Sequence, residues 1–189
     1  VHEGPAARVD AESLAVESIM AQLALNPADA AAAEGWMGHR NTVPDWRDLL
    51  EQGLIADTIE VSGTWSQIDT IYEDVVAALK TVPDCVNASA HSSHVYRSGI
   101  NLYFTFACMP EDASVMGDRY LESWDRALTA TAEAGGGIAH HHGSGRLRRD
   151  YLHHDLGENG LALLHKLKQA IDPQGILNPG NLLPLEDAD

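Results

Sequence analysis

Apolar residues return every three to four positions in several stretches of the chain, and this spacing predicts helices. The clearest pattern covers residues 68–80, where Ile71, Val75 and Leu79 share one face. Thr64 or Ser66 is suited to cap the start of this helix. Proline or glycine follows each of the other candidates, which cover residues 10–26, 44–51, 110–134 and 159–170. Residues 28–38 are small and fit either a helix or a loop.

Shorter stretches carry the alternation or the β-branched residues that are typical of strands. These stretches are residues 54–61, 86–96, 100–108 and 138–142, and a strand ending near Val1 is a further option. Residues 97–99 join the second and third candidates at a spacing that suggests a hairpin. The order of the elements predicts an α+β fold in which helices cover one face of an antiparallel sheet.

The composition is that of a folded globular protein. The chain has 189 residues, of which 44% are hydrophobic, and this length suits one domain over residues 1–189 or one piece of a larger protein. Its net charge of -16 makes nucleic-acid binding improbable, because a cationic surface is needed to neutralise phosphates. The same charge argues against binding to an anionic membrane surface.

Two features predict where the protein works. The only cysteines are Cys85 and Cys108, too few for the disulfide framework of a small secreted domain. No secretory signal and no apolar run of about 18 residues is present in the sequence. We therefore expect a cytoplasmic protein, with peripheral association with a membrane as an option. Because the chain opens without methionine, it is open whether it belongs to something longer.

The strongest chemical signal is the run from Gly135 to Arg149, which holds three consecutive histidines between glycines and is followed by three arginines. If residues 138–142 form a strand, His140 and His142 share one face and His141 points to the other. Glycines allow close approach of a ligand, and the arginines can meet an anion. A solvated loop and an adventitious metal binder are the alternatives.

Other candidates are weaker on spacing alone. Tyr103 shares a predicted strand face with Asn101 and Thr105, and beside histidines it could transfer protons. On spacing alone, a core tyrosine with a satisfied hydroxyl is the favoured explanation. Arg47 stands near a predicted helix start, where it could bind an anion or form a surface salt bridge. His91 and His94 have a spacing that gives only weak support for a metal site.

Together these residues form a recognisable pattern. The run from Gly137 to Arg148, with Ile171 to Leu183 after the last helix, resembles the C-terminal end of FAD-linked oxidases of the vanillyl-alcohol oxidase superfamily. Within that group it is most similar to the alkyldihydroxyacetone-phosphate synthases, which carry a His-His-His-Gly-x-Gly-Lys/Arg-Leu-Arg motif. Residues 96–106 and 46–48 extend the likeness. The resemblance implies a ferredoxin-like cap domain with a C-terminal helical tail.

The resemblance also implies roles for individual residues. Tyr103 would be the catalytic acid or base, with His140, His141 and His142 lining the site beside the flavin. Arg47 and Arg146 would bind the anionic substrate, and His142 and Asn181 would contact FAD, without any metal. In these synthases the flavin holds the dihydroxyacetone-phosphate fragment as an adduct while a fatty acid leaves and a fatty alcohol enters, as in ether-lipid synthesis.

An N-terminal FAD-binding domain of the same protein is the partner that the resemblance implies, and a homodimer is compatible with it. Since no flavin-phosphate glycines are present here, we expect this chain alone to bind no FAD and to be inactive. One alternative is an FAD-dependent D-2-hydroxy-acid dehydrogenase or oxidase. Its metal ligands would correspond to His94, Tyr103 and His141, a set that looks dismantled. A non-catalytic metal or small-molecule binding module that uses His94 and His142 is the other alternative.

Overall fold

The computed structural model describes residues 4–184 and divides the chain into two compact units, within residues 1–44 and 45–189. The first unit holds α1 (Ala6–Gln22) and α2 (Ala30–His39), so the small residues form a helix, which Asp29 caps. Neither helix has a buried residue. The strand suggested near Val1 lies outside the described residues. Assignment of residues 1–189 to one domain stays a prediction.

The second unit is built on a three-stranded antiparallel sheet, which confirms the predicted α+β class. Its strands are β1 (Ile55–Thr64), β2 (Cys85–His91) and β3 (Gly99–Cys108), in the order β1-β3-β2. The register places Ile59 opposite Phe104 and therefore Glu60 opposite Tyr103. Side chains alternate between faces, so this register separates an apolar face from a polar one.

The apolar face of the sheet forms the core with two helices. Helix α4 (Ile68–Lys80) and helix α5 (Met116–Glu133) contact the strands, and Ile71, Val75 and Leu128 are fully buried between them. Gln67 precedes α4 without a side-chain cap, so the predicted capping by Thr64 or Ser66 is wrong. Thr64 instead donates its hydroxyl to the side chain of Gln67.

Shorter elements complete the second unit. Helix α3 (Trp46–Glu51) is capped by Asp45, and two 3-10 turns cover Ala113–Val115 and Arg149–Tyr151. Helix α6 (Leu152–Ile171) begins seven residues before its predicted start, at 159, and is kinked at Gly157. None of the described helices has both the length and the apolar character needed to cross a membrane.

The polar face of the sheet carries side chains from all three strands. The hydroxyl, amide, carboxyl and imidazole groups on this face belong to Thr58, Glu60, Ser62, Asn87, Ser89, His91, Asn101, Tyr103 and Thr105. Asn101, Tyr103 and Thr105 therefore share a face, as the alternation along β3 predicts. Along β2 the polar residues on this face are exposed, whereas Ala88 and Ala90 on the other face are partly buried against the core.

The predicted strand at residues 138–142 does not form. Only Gly137 pairs with β1, through two backbone hydrogen bonds with Ser62. The Ile138 N–H donates to Asp155, while Arg148 donates to the Ile138 carbonyl and Ser62 to the Ala139 carbonyl. These side chains occupy the backbone groups that a strand would need for pairing. The histidines that follow are consequently free of the alternation of a strand.

Candidate active site

A buried carboxylate at the middle of β1 is the centre of the site. The side chain of Glu60 is fully buried on the polar face of the sheet. Imidazole nitrogens of His140, His141 and His142 lie 3.2, 2.9 and 3.7 Å from its oxygens. The three histidines therefore converge on one group, and the expectation that His141 would face away from the other two is wrong.

The carboxylate is held in place by Asn101 on the neighbouring strand β3. The Asn101 side chain is fully buried and donates its amide to Oε1 of Glu60. Its own carbonyl oxygen accepts hydrogen bonds from the backbone N–H groups of Ser93 and His94 and from the hydroxyl of Ser92. Asn101 thus bends residues 92–94 towards the site, which explains why β2 ends at His91 and not at residue 96.

A hydroxyl–imidazole–carboxylate array runs through His140. Its Nδ1 lies 3.2 Å from Oε1 of Glu60, and its Nε2 lies 3.0 Å from the hydroxyl oxygen of Tyr96. The side chain of His140 is only 18% exposed, whereas Tyr96 is half exposed. The array therefore connects a buried negative charge to a hydroxyl at the protein surface.

The second oxygen of Glu60 is less well satisfied. Nδ1 of His141 lies 2.9 Å from Oε2, yet Oε2 has no aligned hydrogen-bond donor among the described residues. A buried polar oxygen without a hydrogen bond is costly, so an ion pair with imidazolium or a bound cation would be favourable here. This orphaned oxygen is aimed at the histidine cluster.

The electrostatic balance favours the ionised form of Glu60. Burial by itself raises the pKa of the carboxyl group, but the hydrogen bond from Asn101 and the charges of His141 and His142 outweigh this effect. The pKa of Glu60 therefore lies below its ordinary value of 4.5. The site holds a carboxylate anion at neutral pH.

Arg148 supports the histidine segment from behind. Its buried guanidinium donates hydrogen bonds to the backbone carbonyls of Ile138, Gly143 and Glu60, and it stacks 4.7 Å above the ring of Trp124. The expectation that the arginines after the histidines meet an anionic ligand is wrong for Arg148. Its donors are used to join the histidine segment to β1.

Tyr103 lies on the same polar face, opposite Glu60. Its ring packs edge-on against the ring of His142, with 5.3 Å between the ring centres, and its ring centre lies 5.1 Å from that of His91. The structure therefore brings this tyrosine next to histidines. The hydroxyl of Tyr103 accepts a hydrogen bond from Thr58 at 3.2 Å. The imidazole contacts are thus made by the ring of Tyr103 and not by its hydroxyl.

The remaining predicted site residues lie at the edges of the site. Arg146 is exposed four residues after His142, and Arg47 is exposed on α3, a helix that contacts β1. Asn181 is the last residue of the predicted turn at residues 178–181. It approaches Gly145, since its Oδ1 would lie 3.9 Å from a Cβ atom placed on that glycine. Arg149 joins this turn to the histidine segment by donating to the Gly180 carbonyl.

The cluster also has the chemistry of a metal site. Glu60, His94, His140 and His141 each offer one ligand atom, and these atoms lie within 4.8 Å of one another. Imidazole and carboxylate donors suit divalent transition metals. The sequence comparison with the metal ligands of D-2-hydroxy-acid dehydrogenases gave only His94, Tyr103 and His141. The fold adds Glu60 and His140 to the possible metal ligands.

Sequence reasoning did not name Glu60, and it gave no role in the site to Asn101 or Tyr96. Glu60 stands in a strand whose alternation could have placed it on a polar face with Thr58 and Ser62. No local signal could have paired it with His140, because the two residues are 80 positions apart.

The fold and the site define a class of protein, an α+β domain in which a histidine cluster stands on one face of an antiparallel sheet. A family model described as the C-terminal domain of FAD-linked oxidases matches residues 2–182. The chain belongs to this family, and the predicted membership is confirmed. The family name implies FAD as the cofactor of the whole proteins.

Several relatives are known. The chain is 35% identical over 175 residues to an uncharacterized FAD-linked oxidoreductase, YgcU, of Escherichia coli (strain K12), a match that covers 84% of this chain and 35% of the relative. It is 28% identical over 189 residues to alkyldihydroxyacetonephosphate synthase of Dictyostelium discoideum, a match that covers 96% of this chain and 30% of the relative. It is also 28% identical over 144 residues to the mitochondrial D-lactate dehydrogenase [cytochrome] of Kluyveromyces lactis, covering 66% and 24%.

A solved structure has the same fold. An alkyldihydroxyacetonephosphate synthase structure superposes with a TM-score of 0.61 and 26% sequence identity, and the match covers 94% of this chain and 30% of that chain. The chain spans about a third of the length of the first curated relatives that it matches.

Proposed function

We propose that this chain is the substrate-binding and catalytic cap domain of a flavoenzyme resembling alkyldihydroxyacetone-phosphate synthase, which exchanges an acyl for an alkyl group on dihydroxyacetone phosphate. The observation that carries the proposal is the convergence of His140, His141 and His142 on one buried carboxylate, with Tyr103 packed against His142. Such a cluster can bind an anionic substrate and move protons beside a cofactor.

The polar face of the sheet is suited to lie against a flavin domain. Tyr103 and His142 are both partly exposed on this side, whereas the opposite face is covered by α4 and α5. His142 and Asn181 would contact the cofactor. When bound, FAD supplies the redox-active ring, and the residues of this chain supply orientation and proton transfer. An N-terminal FAD-binding domain of the same protein is the proposed partner.

The anionic end of the substrate is assigned to arginine. Arg146 and Arg47 are exposed, and neither forms an ion pair within residues 4–184. A guanidinium binds phosphate through two parallel hydrogen bonds. Arg146 is close in sequence to His142, so it is the stronger candidate for contact with a substrate held at the cluster.

The test compares two tyrosines in the full-length protein. Tyr103→Phe removes one hydroxyl from the polar face, and we expect turnover to fall at least about 100-fold because a proton-transfer group is lost. Tyr72→Phe on the outside of α4 is the matched control and should keep full activity. The assay follows incorporation of a labelled fatty alcohol into the ether product, and the visible spectrum checks that flavin stays bound. Retained exchange in Tyr103→Phe would reject the role.

A second candidate, the oxidation of a D-2-hydroxy acid with a divalent metal, is supported by the donor set of Glu60, His94, His140 and His141. A metal in this position would attract the carboxylate and hydroxyl of such a substrate. This candidate is opposite to the expectation, from the resemblance to the synthases, that the site uses no metal.

Metal analysis separates the two candidates. Full-length protein is treated with a chelator, supplied with Zn²⁺ or Mn²⁺, and assayed for bound metal and for oxidation of D-2-hydroxy acids. One equivalent of metal that is lost in His94→Ala, but kept in the exposed control His153→Ala, would favour the second candidate. Unchanged exchange activity in chelated protein would favour the first.

A further inference from the structure

We propose that Glu60 is a positioning residue, whose buried carboxylate holds the His140 ring with Nδ1 protonated so that Nε2 accepts the hydroxyl hydrogen of Tyr96. In this arrangement Tyr96 is a second tyrosine capable of proton transfer, separate from Tyr103. The assignment of the array to catalysis rests on the proposed function, whereas the arrangement of protons in the array does not.

The carboxylate determines which nitrogen of His140 carries hydrogen. An ionised carboxylate only accepts hydrogen bonds, and Oε1 of Glu60 lies 3.2 Å from Nδ1 of His140. A lone pair on Nδ1 would face this negative charge, so Nδ1 has to be the N–H donor. The remaining nitrogen, Nε2, is then an acceptor, and the hydroxyl of Tyr96 stands 3.0 Å from it.

The carboxylate itself cannot turn away. Glu60 is fully buried, Oε1 accepts the amide hydrogen of Asn101, and Asn101 is held in turn by the backbone of residues 93 and 94. His141 places its own Nδ1 2.9 Å from Oε2 and 3.1 Å from Nδ1 of His140. Of the two Nδ1 atoms, only that of His140 is aligned for a hydrogen bond with the carboxylate, because Oε2 has no aligned donor among residues 4–184.

The two tyrosines of the site differ in what their hydroxyls meet. The hydroxyl of Tyr103 meets the hydroxyl of Thr58, which is a poor base. The hydroxyl of Tyr96 meets an imidazole that is backed by a carboxylate, and its side chain is half exposed. Tyr96 is thus both accessible and paired with a proton acceptor of this chain.

The proton transfer balances within the array. When the O–H bond of Tyr96 breaks, its proton forms an N–H bond at Nε2 of His140, leaving a phenolate and an imidazolium. The negative charge of Glu60 stabilises this imidazolium, as a carboxylate does beside other catalytic histidines. The reverse transfer restores the starting state, so no further reactant is needed.

The first measurement is the tautomer in the unmodified protein. Full-length protein with ¹⁵N-labelled histidine rings is examined by NMR at neutral pH, and the spectrum of His140→Gln identifies the His140 signals. We expect a protonated Nδ1 and an unprotonated, hydrogen-bonded Nε2. A protonated Nε2 without a hydrogen on Nδ1, or an Nδ1 bound to metal, would overturn the proposal.

Variants then test the cause. Glu60→Gln removes the negative charge that faces Nδ1 of His140, so the Nδ1–H form of His140 should lose population to the Nε2–H form. Glu73→Gln, an exposed carboxylate on α4, is the matched control and should leave both rings unchanged. Tyr96→Phe should also keep Nδ1–H in His140, because Glu60 holds it. An unchanged spectrum in Glu60→Gln would reject the positioning role.

Kinetics test the catalytic part. In an active full-length enzyme we expect Glu60→Gln and Tyr96→Phe each to lower kcat at least about tenfold while KM changes little. Expected tautomers with an unchanged kcat would reject the role of the array in catalysis. If the unmodified protein exchanges no acyl group, the proposed function fails, but the tautomer result still decides the role of Glu60.

Discussion

At the scale of single residues, Glu60 decides the properties of the site. A buried carboxylate is tolerated when hydrogen bonds and opposite charges compensate for its lost hydration. Asn101 and His140 provide hydrogen bonds, and His141 and His142 provide compensating charge, so Glu60 remains ionised. Glu60 therefore brings the three histidines together, and the histidines in turn help to keep the buried carboxylate ionised.

This balance predicts a dependence of stability on acid. The pKa of Glu60 is below 4.5 in the folded chain and near this value when unfolded, so its contribution is present above pH 4.5 and is lost as pH falls through the folded pKa. The free energy of unfolding should therefore fall more steeply with acid in the unmodified chain than in Glu60→Gln. Urea unfolding at several pH values measures this, with Glu73→Gln as control. Equal slopes would contradict the prediction.

His142 is predicted to contribute to activity more than to stability. Its ring is 33% exposed, and its distance of 3.7 Å from Glu60 is the longest of the three. His142→Ala should reduce turnover of the full-length protein while its unfolding temperature changes by only a few degrees. Activity assays and thermal unfolding test this together, and a large loss of stability would show that the ring is structural.

At the scale of elements, the histidine segment is a loop held by side chains. Residues 137–142 would be an edge strand if their backbone paired with β1, but Asp155, Ser62 and Arg148 take the backbone groups of Ile138 and Ala139. The loop can therefore curl over the polar face of the sheet and bring three consecutive imidazoles to one carboxylate. A strand would have turned one of them away.

Among the side chains that hold the histidine segment, Arg148 is predicted to contribute most to stability. Arg148→Lys keeps the charge but cannot reach three carbonyl oxygens at once, so carbonyls of buried backbone lose their donors. We expect a loss of about 2–4 kcal/mol in the free energy of unfolding. Arg146→Lys, on the exposed side, should cost less than about 0.5 kcal/mol. Denaturant unfolding of both variants tests this difference, and similar losses would contradict it.

At the scale of the whole molecule, the proposed function makes the chain one wall of a site. Its family and its relatives are those of FAD-linked enzymes, and it spans about a third of the curated relatives that it matches. The polar face carries the candidate chemistry, while the buried apolar side chains of β1 and β3 lie on the other face of the sheet. In the proposed function, this polar face would be completed by the surface of the flavin domain.

This organisation predicts a simple difference in colour. The purified chain of 20.4 kDa should show no flavin absorption, because the residues proposed to contact FAD form only one side of its site. The full-length protein should show flavin bands and carry the activity. Intact mass and a visible spectrum test this, and stoichiometric flavin on the isolated chain would contradict the proposed division of labour.

Much of the fold follows from local pattern. Helix α4 has the predicted bounds, and β3 differs from its predicted start by one residue, because apolar spacing reflects the face that each element buries. The family motif at residues 137–148 is likewise continuous in the sequence, so it can be recognised without the structure. The sequence therefore determined the α+β class, the family and the presence of a histidine site.

Only the tertiary structure decided how that site is built. Glu60 meets His140 across 80 positions, and Tyr96 meets it across 44. Whether residues 138–142 pair as a strand depends on Arg148 and Asp155, which reach them from later turns of the chain. Periodicity records which face of an element is buried, but it carries no information about which distant polar groups share that burial. Those pairings follow from the register of β1 and β3 and from packing alone.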